Sequence, residues 1–568
     1  MPVSGSAWVI RLGWGKTVRM IERWYRNAVI YSVDVGLFQD SDADGVGDFA
    51  GMTNRLDYLS RLGVTTIWFN PIHPSPRRDG GYDVSDHYGI HPRFGSFGDF
   101  CALLNAAGER GIRVMLDFVV NHTSDQHPWF QSARADPASP YRDWYVWSDT
   151  EPPDRFEGQV FPGVENEIWT YDPTAGAWYR HRFYHFEPDL NTANPRVRAE
   201  IRKIAEAWLR VGVAGYRVDA APFLIESKEP GSTLKPPRPD YTLYRELRES
   251  VSWRRGDAVL LAEANVTNEE VLEHFGHADG SASRFHMIFA FRLNQAIMLA
   301  LARQDARPVL TTVRELPALP SHAQWATFLR NHDEVDLGRL APEERQQVFE
   351  AFGPDPNMQL YNRGIRRRLA PMLGGDRRRL EMAYSLQFTM PGTPVIRYGD
   401  EIGMGENLEL PEREAIRTPM QWDDTPNAGF SRADPKDLPV PVISEGPYGY
   451  EQVNVTDQRR DPNSLLVWFE RILHTLRECE EIGTGEHEML DVGPPHVLVH
   501  RASTDTGALL FLHNLANVPC QVDVGEQIDH PGRPLSVAAD GYYDEKIDPR
   551  AIDLAGYGYR WLRLRRDT

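Results

Sequence analysis

The sequence is short of several things. Its 568 residues include only 3 cysteines, Cys101, Cys479 and Cys520, which cannot all pair with one another and have no metal-type spacing. That excludes a disulfide-stapled scaffold and points to a reducing, cytoplasmic setting. No stretch approaches the ~18 consecutive apolar residues of a membrane span. Trp8-Val9-Ile10 is cut off at once by Arg11, too short for a signal-peptide core of roughly 7–15 residues. Positive charge is scarce as well, since 62 Lys and Arg against 81 Asp and Glu give a formal −19. Neither nucleic acid nor an anionic membrane surface suits such a chain, because both are gripped through Lys and Arg. Internal repeats, low-complexity tracts and a glycine fingerprint after the first strand are also missing. The last absence argues against a doubly wound nucleotide-binding sheet.

What is present is ordinary in composition, with 41% apolar and 25% charged residues, and fits about two to four domains. Residues 1–19 precede Met20 and read as an N-terminal extension. Beyond them, eight short apolar runs alternate with helical patterns: Val29–Val35, Val64–Phe69, Ile112–Leu116, Val213–Val218, Ala258–Ala262, Phe285–Phe291, Trp325–Leu329 and Pro394–Tyr398. This alternation predicts an α/β fold, a (β/α)8 barrel over 20–120 and 186–485. Residues 121–185 interrupt it with a loop-rich insertion domain holding five of the 15 tryptophans: Trp129, Trp144, Trp147, Trp169 and Trp178. Those rings are expected to form a small core or to stack on sugars over the barrel mouth. A second insertion, 335–380, carries Arg366-Arg367-Arg368 and Arg377-Arg378-Arg379, expected to be solvated helix faces. Together the two insertions read as a lid. From 486 to 568, runs such as Val497–His500 and Ala508–Leu512 predict an all-β C-terminal sandwich.

In such a barrel the working groups stand at the C-terminal ends of the strands. Asp117, Asp219, Glu263 and Asn331-His332-Asp333 all end barrel-strand runs. Retaining glycoside cleavage needs a nucleophilic carboxylate and a protonated acid about 5–5.5 Å apart. A third carboxylate can orient sugar hydroxyls and raise the pKa of the acid. Arg217 lies two residues before Asp219, so both project to one side of an extended strand, and the guanidinium keeps a nucleophile ionised. Glu263 closes the apolar run Val259–Ala262, which favours its neutral, proton-donating form. A separate signal is Asp40-Ser-Asp42-Ala-Asp44-Gly45-Val46-Gly-Asp48. Its alternate acids, turn glycine and Val46 carbonyl have the spacing of a structural Ca2+ loop, although Gly51 stands where an EF-hand would put its bidentate glutamate.

Four segments resemble, in order, the signature regions of the α-amylase superfamily: Asp117-Phe-Val-Val-Asn121-His122, Gly215-Tyr-Arg217-Val-Asp219-Ala220, Leu261-Ala-Glu263-Ala-Asn265 and Phe328-Leu-Arg-Asn331-His332-Asp333. The resemblance implies Asp219 as nucleophile, Glu263 as general acid/base and Asp333 as transition-state stabiliser. Asp117, His122, Arg217 and His332 would then line the sugar subsite. Asp79-Gly-Gly-Tyr82-Asp83-Val-Ser-Asp86 and Arg417-Thr-Pro-Met-Gln-Trp422 resemble the branch acting on a terminal glucose. There an Asp–Arg pair, carried onto Asp83 and Arg417, closes the pocket, and Tyr82 stacks on the sugar. Gly364–Leu373, Arg397–Gly405 and Asn427–Ser431 resemble maltose α-glucosyl mutases, with the likeness running from Trp24 to Ser431. That likeness implies interconversion of maltose and trehalose by intramolecular transfer with some hydrolysis, or alternatively an α-glucosidase or transglucosidase.

It also implies a second calcium held by Asn121, Asp189 and Glu226 with the backbone carbonyls of Phe223 and Leu224, and no organic cofactor. The implied partner is a small α-glucoside, and a homo-oligomer is left open. Two departures stand on the acceptor side: Val266-Thr267 and Val335-Asp336 occupy positions where such mutases would have Gln-Trp and Leu-Thr.

Overall fold

The computed structural model describes residues 23–231, 239–276, 283–527, 534–543 and 547–564. The expected extension, 1–19, lies outside the described residues. Each of the eight apolar runs forms a strand: Ile30–Val33, Thr66–Phe69, Arg113–Phe118, Gly215–Val218, Val259–Ala262, Met287–Phe289, Gln324–Thr327 and Thr393–Arg397. All pair in parallel, and Ile30 is in register with both Thr66 and Val395, which closes the barrel.

Period-two alternation sorts the strand side chains between two cores. Ile30, Trp68, Met115, Val259, Leu261 and Met287 point into the barrel and form one cluster. Their neighbours Tyr31, Ile67, Phe69 and Leu260 point outward into the larger cluster shared with the helices. Because both faces are covered, the strands read as continuous apolar runs. Helix starts follow from local chemistry. Ser96 and Asp99 form a capping box ahead of Phe97–Glu109, and Asn194 caps Pro195–Val211 with proline in the first turn.

The insertion after the third barrel strand contains a three-stranded antiparallel sheet built from Trp147–Ser148, Trp169–Asp172 and Ala177–Arg180. Of the two roles expected for its tryptophans, core is the one observed. Trp129 meets Trp144 edge-on at 4.7 Å, Trp147 stacks on Phe130 at 5.6 Å, and Trp169 is fully buried. None of the five lines the large cavity over the barrel; Val160, Phe161, Arg182 and Phe183 do so instead.

The second insertion adds the helix Pro342–Phe352 and a small sheet of Val335–Asp336, Gln359–Leu360 and Gly364–Ile365. The expectation that Arg366–Arg368 form a solvated face is overturned. Arg366 donates to the carbonyls of Asn357, Leu408 and Leu410, and Arg368 donates to Tyr398 O at 2.8 Å while only 1% exposed. Irregular backbone leaves carbonyls without ladder partners, and buried guanidinium groups satisfy them. The second triplet opens the helix Arg377–Thr389, where Asp376 caps the first turn.

The C-terminal strands begin at Glu486 and make a five-stranded antiparallel sheet backed by the pair Cys520–Val522 and Ile552–Leu554. Val499, Leu510, Leu512, Val522 and Ile552 form the core between them. All three cysteines are unpaired. No helix among the described residues is long and apolar enough to cross a membrane.

Candidate active site

Four barrel strands bring their C-terminal residues to one rim, and Arg217 is its hub. Its Nη1 donates to Asp117 Oδ1 at 2.8 Å and, in a shorter contact, to Asp219 Oδ1; its Nη2 pairs with Glu263 Oε1 at 2.8 Å. The expectation that this guanidinium keeps Asp219 ionised is not met, because Arg217 is shared with Asp117 and Glu263. One cation is divided among three carboxylates, of which Asp117 and Asp219 are buried and Glu263 is part-exposed, and a setting this low in dielectric does not favour all three ionised. Burial is the largest cause of the outcome, and mutual repulsion adds to it against the pull of Arg217. Asp117 is pushed up to about 6, and Asp219 and Glu263 to about 7.

The raised values of Asp219 and Glu263 favour keeping a proton on this cluster near neutrality, which a general acid requires. Glu263 is oriented from the neighbouring strand end. Ala220 adopts φ +48°, rare for a residue with a Cβ, and its N–H donates to Glu263 Oε2 at 3.0 Å.

Asp333 has the opposite environment. Burial pushes its pKa up, but His332 Nε2 at 3.0 Å, Arg413 Nη1 at 2.9 Å and Arg417 Nη2 at 3.2 Å outweigh that. Its carboxyl is held well below the usual range. His332 itself is driven down to about 3 by burial and is neutral. Tyr82 ties the two halves together. Its ring stacks on His332 at 5.3 Å, and its hydroxyl donates to Asp117 Oδ2 at 2.9 Å. His122, pushed down to about 4 by burial, also lines the cavity.

The expected Asp83–Arg417 pair does not form. Asp83 is fully buried, accepts from Ser75 Oγ at 2.6 Å and pairs with Arg78 at 3.6 Å. The aspartate beside Arg417 is Asp79, at 3.7 Å, which Arg413 also binds at 2.8 Å. A tight turn, with Tyr82 N donating to Asp79 O at 2.8 Å, gives these two aspartates different partners. Gly80 is required in that turn. Its φ is +59°, and a Cβ there would lie 2.6 Å from Arg417 Nη1.

Arg413 was not anticipated from the sequence. It sits four residues before Arg417 in the helical turn Glu412–Ile416, and an i, i+4 arginine pair was the signal that could have shown it. Glu187 was missed as well. It is fully buried with Oε1 3.9 Å from His122 Nε2, and burial raises its pKa well above the usual range.

The expected second calcium meets a correction too. Lys228 Nζ lies 2.7 Å from Asn121 Oδ1, 3.1 Å from Leu190 O and 3.8 Å from Asp189 Oδ2. Arg180 binds Asp189 at 2.9 Å and reaches Glu226 at 3.4 Å, while Leu224 O accepts from Thr192 Oγ1 at 2.8 Å. The chain's own ammonium and guanidinium groups therefore already engage these oxygens. A divalent cation would have to displace a buried Lys228, which fixes the insertion domain to the loop after the fourth barrel strand.

The loop after the first strand fits an ion better. Carboxylate oxygens of Asp40, Asp42 and Asp48 lie within 4.8 Å of one another. Gly45 has φ +85°, as the sharp turn requires, and Ser431 Oγ donates to Asp40 Oδ2 at 2.6 Å. Asp44 is turned away to Arg93 Nε at 2.9 Å.

Tyr82, His122, Asp219, Glu263, His332 and Asp333 line a cavity of about 690 Å³ that reaches from Asp79 and Arg413 to the helix Asn268–Phe275. Val266 and Asp336 line its outer part, and Asn265 Nδ2 donates to Asp336 at 3.0 Å.

Barrel and site together define the class. The chain belongs to the α-amylase family, whose catalytic-domain model matches residues 35–351 and 357–485, and it is an enzyme of that family. It is 41% identical over 552 residues to a trehalose synthase of Pimelobacter sp. (strain R48), covering 95% of this chain and 96% of that one. It is 39% identical to a trehalose synthase/amylase of Mycolicibacterium smegmatis, over 97% of this chain and 94% of the relative. Among solved structures, an α-amylase from H.orenii superposes with TM-score 0.76 at 28% identity, covering 95% of this chain and 99% of the other. A trehalulose synthase gives TM-score 0.76 at 26% identity, with coverage of 95% and 100%.

Proposed function

We propose that the protein interconverts maltose and trehalose by moving a glucosyl unit within one bound disaccharide. The carrying observation is the ion-pair cluster at one end of the cavity, where Arg413 and Arg417 hold Asp79 and Asp333 together. A chain continuing past the non-reducing glucose would have to displace those pairs, which favours action on a terminal residue. The full-length likeness to trehalose synthases supports the choice of reaction.

In the first half-reaction an Asp219 oxygen forms a bond to the anomeric carbon of that glucose. The glycosidic C–O bond breaks, and Glu263 delivers its proton to the departing oxygen. Asp333, held ionised by two arginines, stabilises the cationic transition state. The released glucose then turns within the cavity. Its own anomeric hydroxyl attacks the glucosyl-enzyme, Glu263 takes that proton, and the bond to Asp219 breaks. Water entering at this stage gives two glucose molecules instead, so the outcome rests on how well Phe161, Phe183 and Arg363 from the insertions exclude it.

The sorting of charge supports these roles. Asp333 stays ionised throughout, and the Asp219–Glu263 pair carries the proton. Incubation with maltose followed by product analysis tests the proposal; glucose without trehalose would leave only the α-glucosidase reading. We also propose that Asp40, Asp42 and Asp48, with the Val46 carbonyl, hold a structural Ca2+ that fixes the loop after the first strand against Ser431.

A further inference from the structure

A second cavity, of about 210 Å³, shares no wall residue with the sugar cavity. It brings Arg55, at the junction of the helices Phe49–Asn54 and Leu56–Leu62, together with Arg459 and Arg460 of the helix Val455–Arg460. These three arginines and Asp423 are the charged residues of its wall, in a chain whose formal charge is −19.

The floor is aromatic. Tyr58 and Trp422 are buried, and their rings meet edge-on at 5.1 Å. Each ring carries a guanidinium, Arg55 over Trp422 at 3.9 Å and Arg459 over Tyr58 at 5.4 Å. A guanidinium laid on a ring is held in place while its N–H edge stays free for an oxyanion. Among the described residues the Arg55 side chain has one hydrogen-bond partner, Gln39 Oε1 at 2.7 Å from its Nε, and the Arg459 side chain has none. Asp423 attracts Arg55 without forming an ion pair, and its Oδ1 accepts from Thr425 N at 2.9 Å. Arg460 reaches Asp457 at 3.5 Å, but both are largely exposed and such a pair holds little.

Arg55 is half-buried, and burial pushes its guanidinium pKa down. A cation partly withdrawn from water with no counter-charge is costly, and a bound anion offsets that cost through charge-assisted hydrogen bonds. At roughly 30 Å³ per water, the cavity has room for a phosphoryl group and part of a small molecule attached to it. We propose that this cavity binds a phosphoryl dianion, free phosphate or the phosphate of a small sugar ester, between Arg55 and Arg459 over the Tyr58–Trp422 floor. The site takes no part in the barrel chemistry, so it stands apart from the glucosyl-transfer reading.

Titration calorimetry of the full chain at constant ionic strength tests this with inorganic phosphate and with glucose 1-phosphate, glucose alone serving as the control for the sugar cavity. Phosphate should bind with a Kd of about 1 mM or tighter. Arg55→Gln should weaken it by about tenfold or more, and the exposed pair Arg459→Gln/Arg460→Gln by about threefold or more. The double variant decides the test alone if Arg55→Gln does not fold. Tighter binding of glucose 1-phosphate than of phosphate, lost in the variants, assigns the ester as ligand; equal or weaker binding assigns the free ion. No saturable binding of either anion in the millimolar range, or binding that the variants leave unchanged, overturns the proposal.

Discussion

Two clusters of buried charge sit on the same rim of the barrel and are built in opposite proportions. At the hub, Arg217 alone faces Asp117, Asp219 and Glu263. At the insertion-domain junction, Arg180, Arg182 and Lys228 face only Asp189 and Glu226. The first is short of positive charge, so it must keep a proton and its carboxyl pKa values rise. The second has cations to spare. Asp189 stays ionised below the usual range although burial opposes it, because Lys228 and Arg180 stand beside it. An underbalanced cluster is poised for proton transfer, whereas a well-supplied one holds two parts of a chain in register.

The largest way to break the comparison is Asp219→Asn. It removes the nucleophile from the underbalanced cluster, and turnover of maltose should fall by about 10⁴-fold or more. Activity within tenfold of the parent, measured on purified protein, would show that the hub is not the reacting centre.

Lys228→Met attacks the other cluster. Asn121 Oδ1 loses its donor, Leu190 O keeps only the Thr192 N–H, and the excess of cations over Asp189 shrinks. Unfolding in denaturant should show a loss of about 2–4 kcal/mol. An unchanged midpoint would mean that the junction does not depend on the ammonium.

A smaller effect separates the clusters by pH. Asp219 is pushed up to about 7 in the folded chain from an ordinary value near ~4 when unfolded. Between those values the folded state holds a proton that the unfolded state has lost, so this group costs stability as pH rises from about 4 through 7. Asn cannot ionise, so Asp219→Asn should be more stable than the parent by about 1–2 kcal/mol at pH ~8, with the gain fading toward pH ~4. Thermal unfolding at several pH values reads this directly, and a gain that grows on acidification would reverse the assignment.

The smallest effect concerns divalent ions. Removing calcium with a chelator should lower the melting temperature by about 2–5 °C through the Asp40 loop. The shift should come from that loop alone, because Lys228 and Arg180 already engage the oxygens of the junction. It should vanish in Asp40→Asn.

Much of this was legible in the sequence, for reasons the structure makes plain. The eight barrel strands were readable because strands buried on both faces are continuous apolar runs that end on polar rim residues, as at Asp219 and Glu263. What the pattern could not carry was direction within irregular segments. Asp79 and Asp83 lie in one short motif, and only the turn through Gly80 decides which of them meets Arg417. The Arg366–Arg368 triplet reads as a solvated surface because nothing local reveals that residues 398–412 bring it their unpaired carbonyls. The donors Asn121 and Asp189 could be named, but not what fills the space between them. Lys228 is more than a hundred residues from Asn121 in the chain, and no spacing rule links the two.

The central claim is that the glucose released when Asp219 takes the glucosyl unit turns and rejoins that same unit without escaping. Unlabelled maltose incubated with the enzyme in the presence of 13C-labelled glucose tests this directly, with trehalose analysed early in the reaction by mass spectrometry or NMR. Trehalose that forms without label is the predicted result. Label entering trehalose in proportion to the free glucose, or glucose accumulating with no trehalose, would contradict the account.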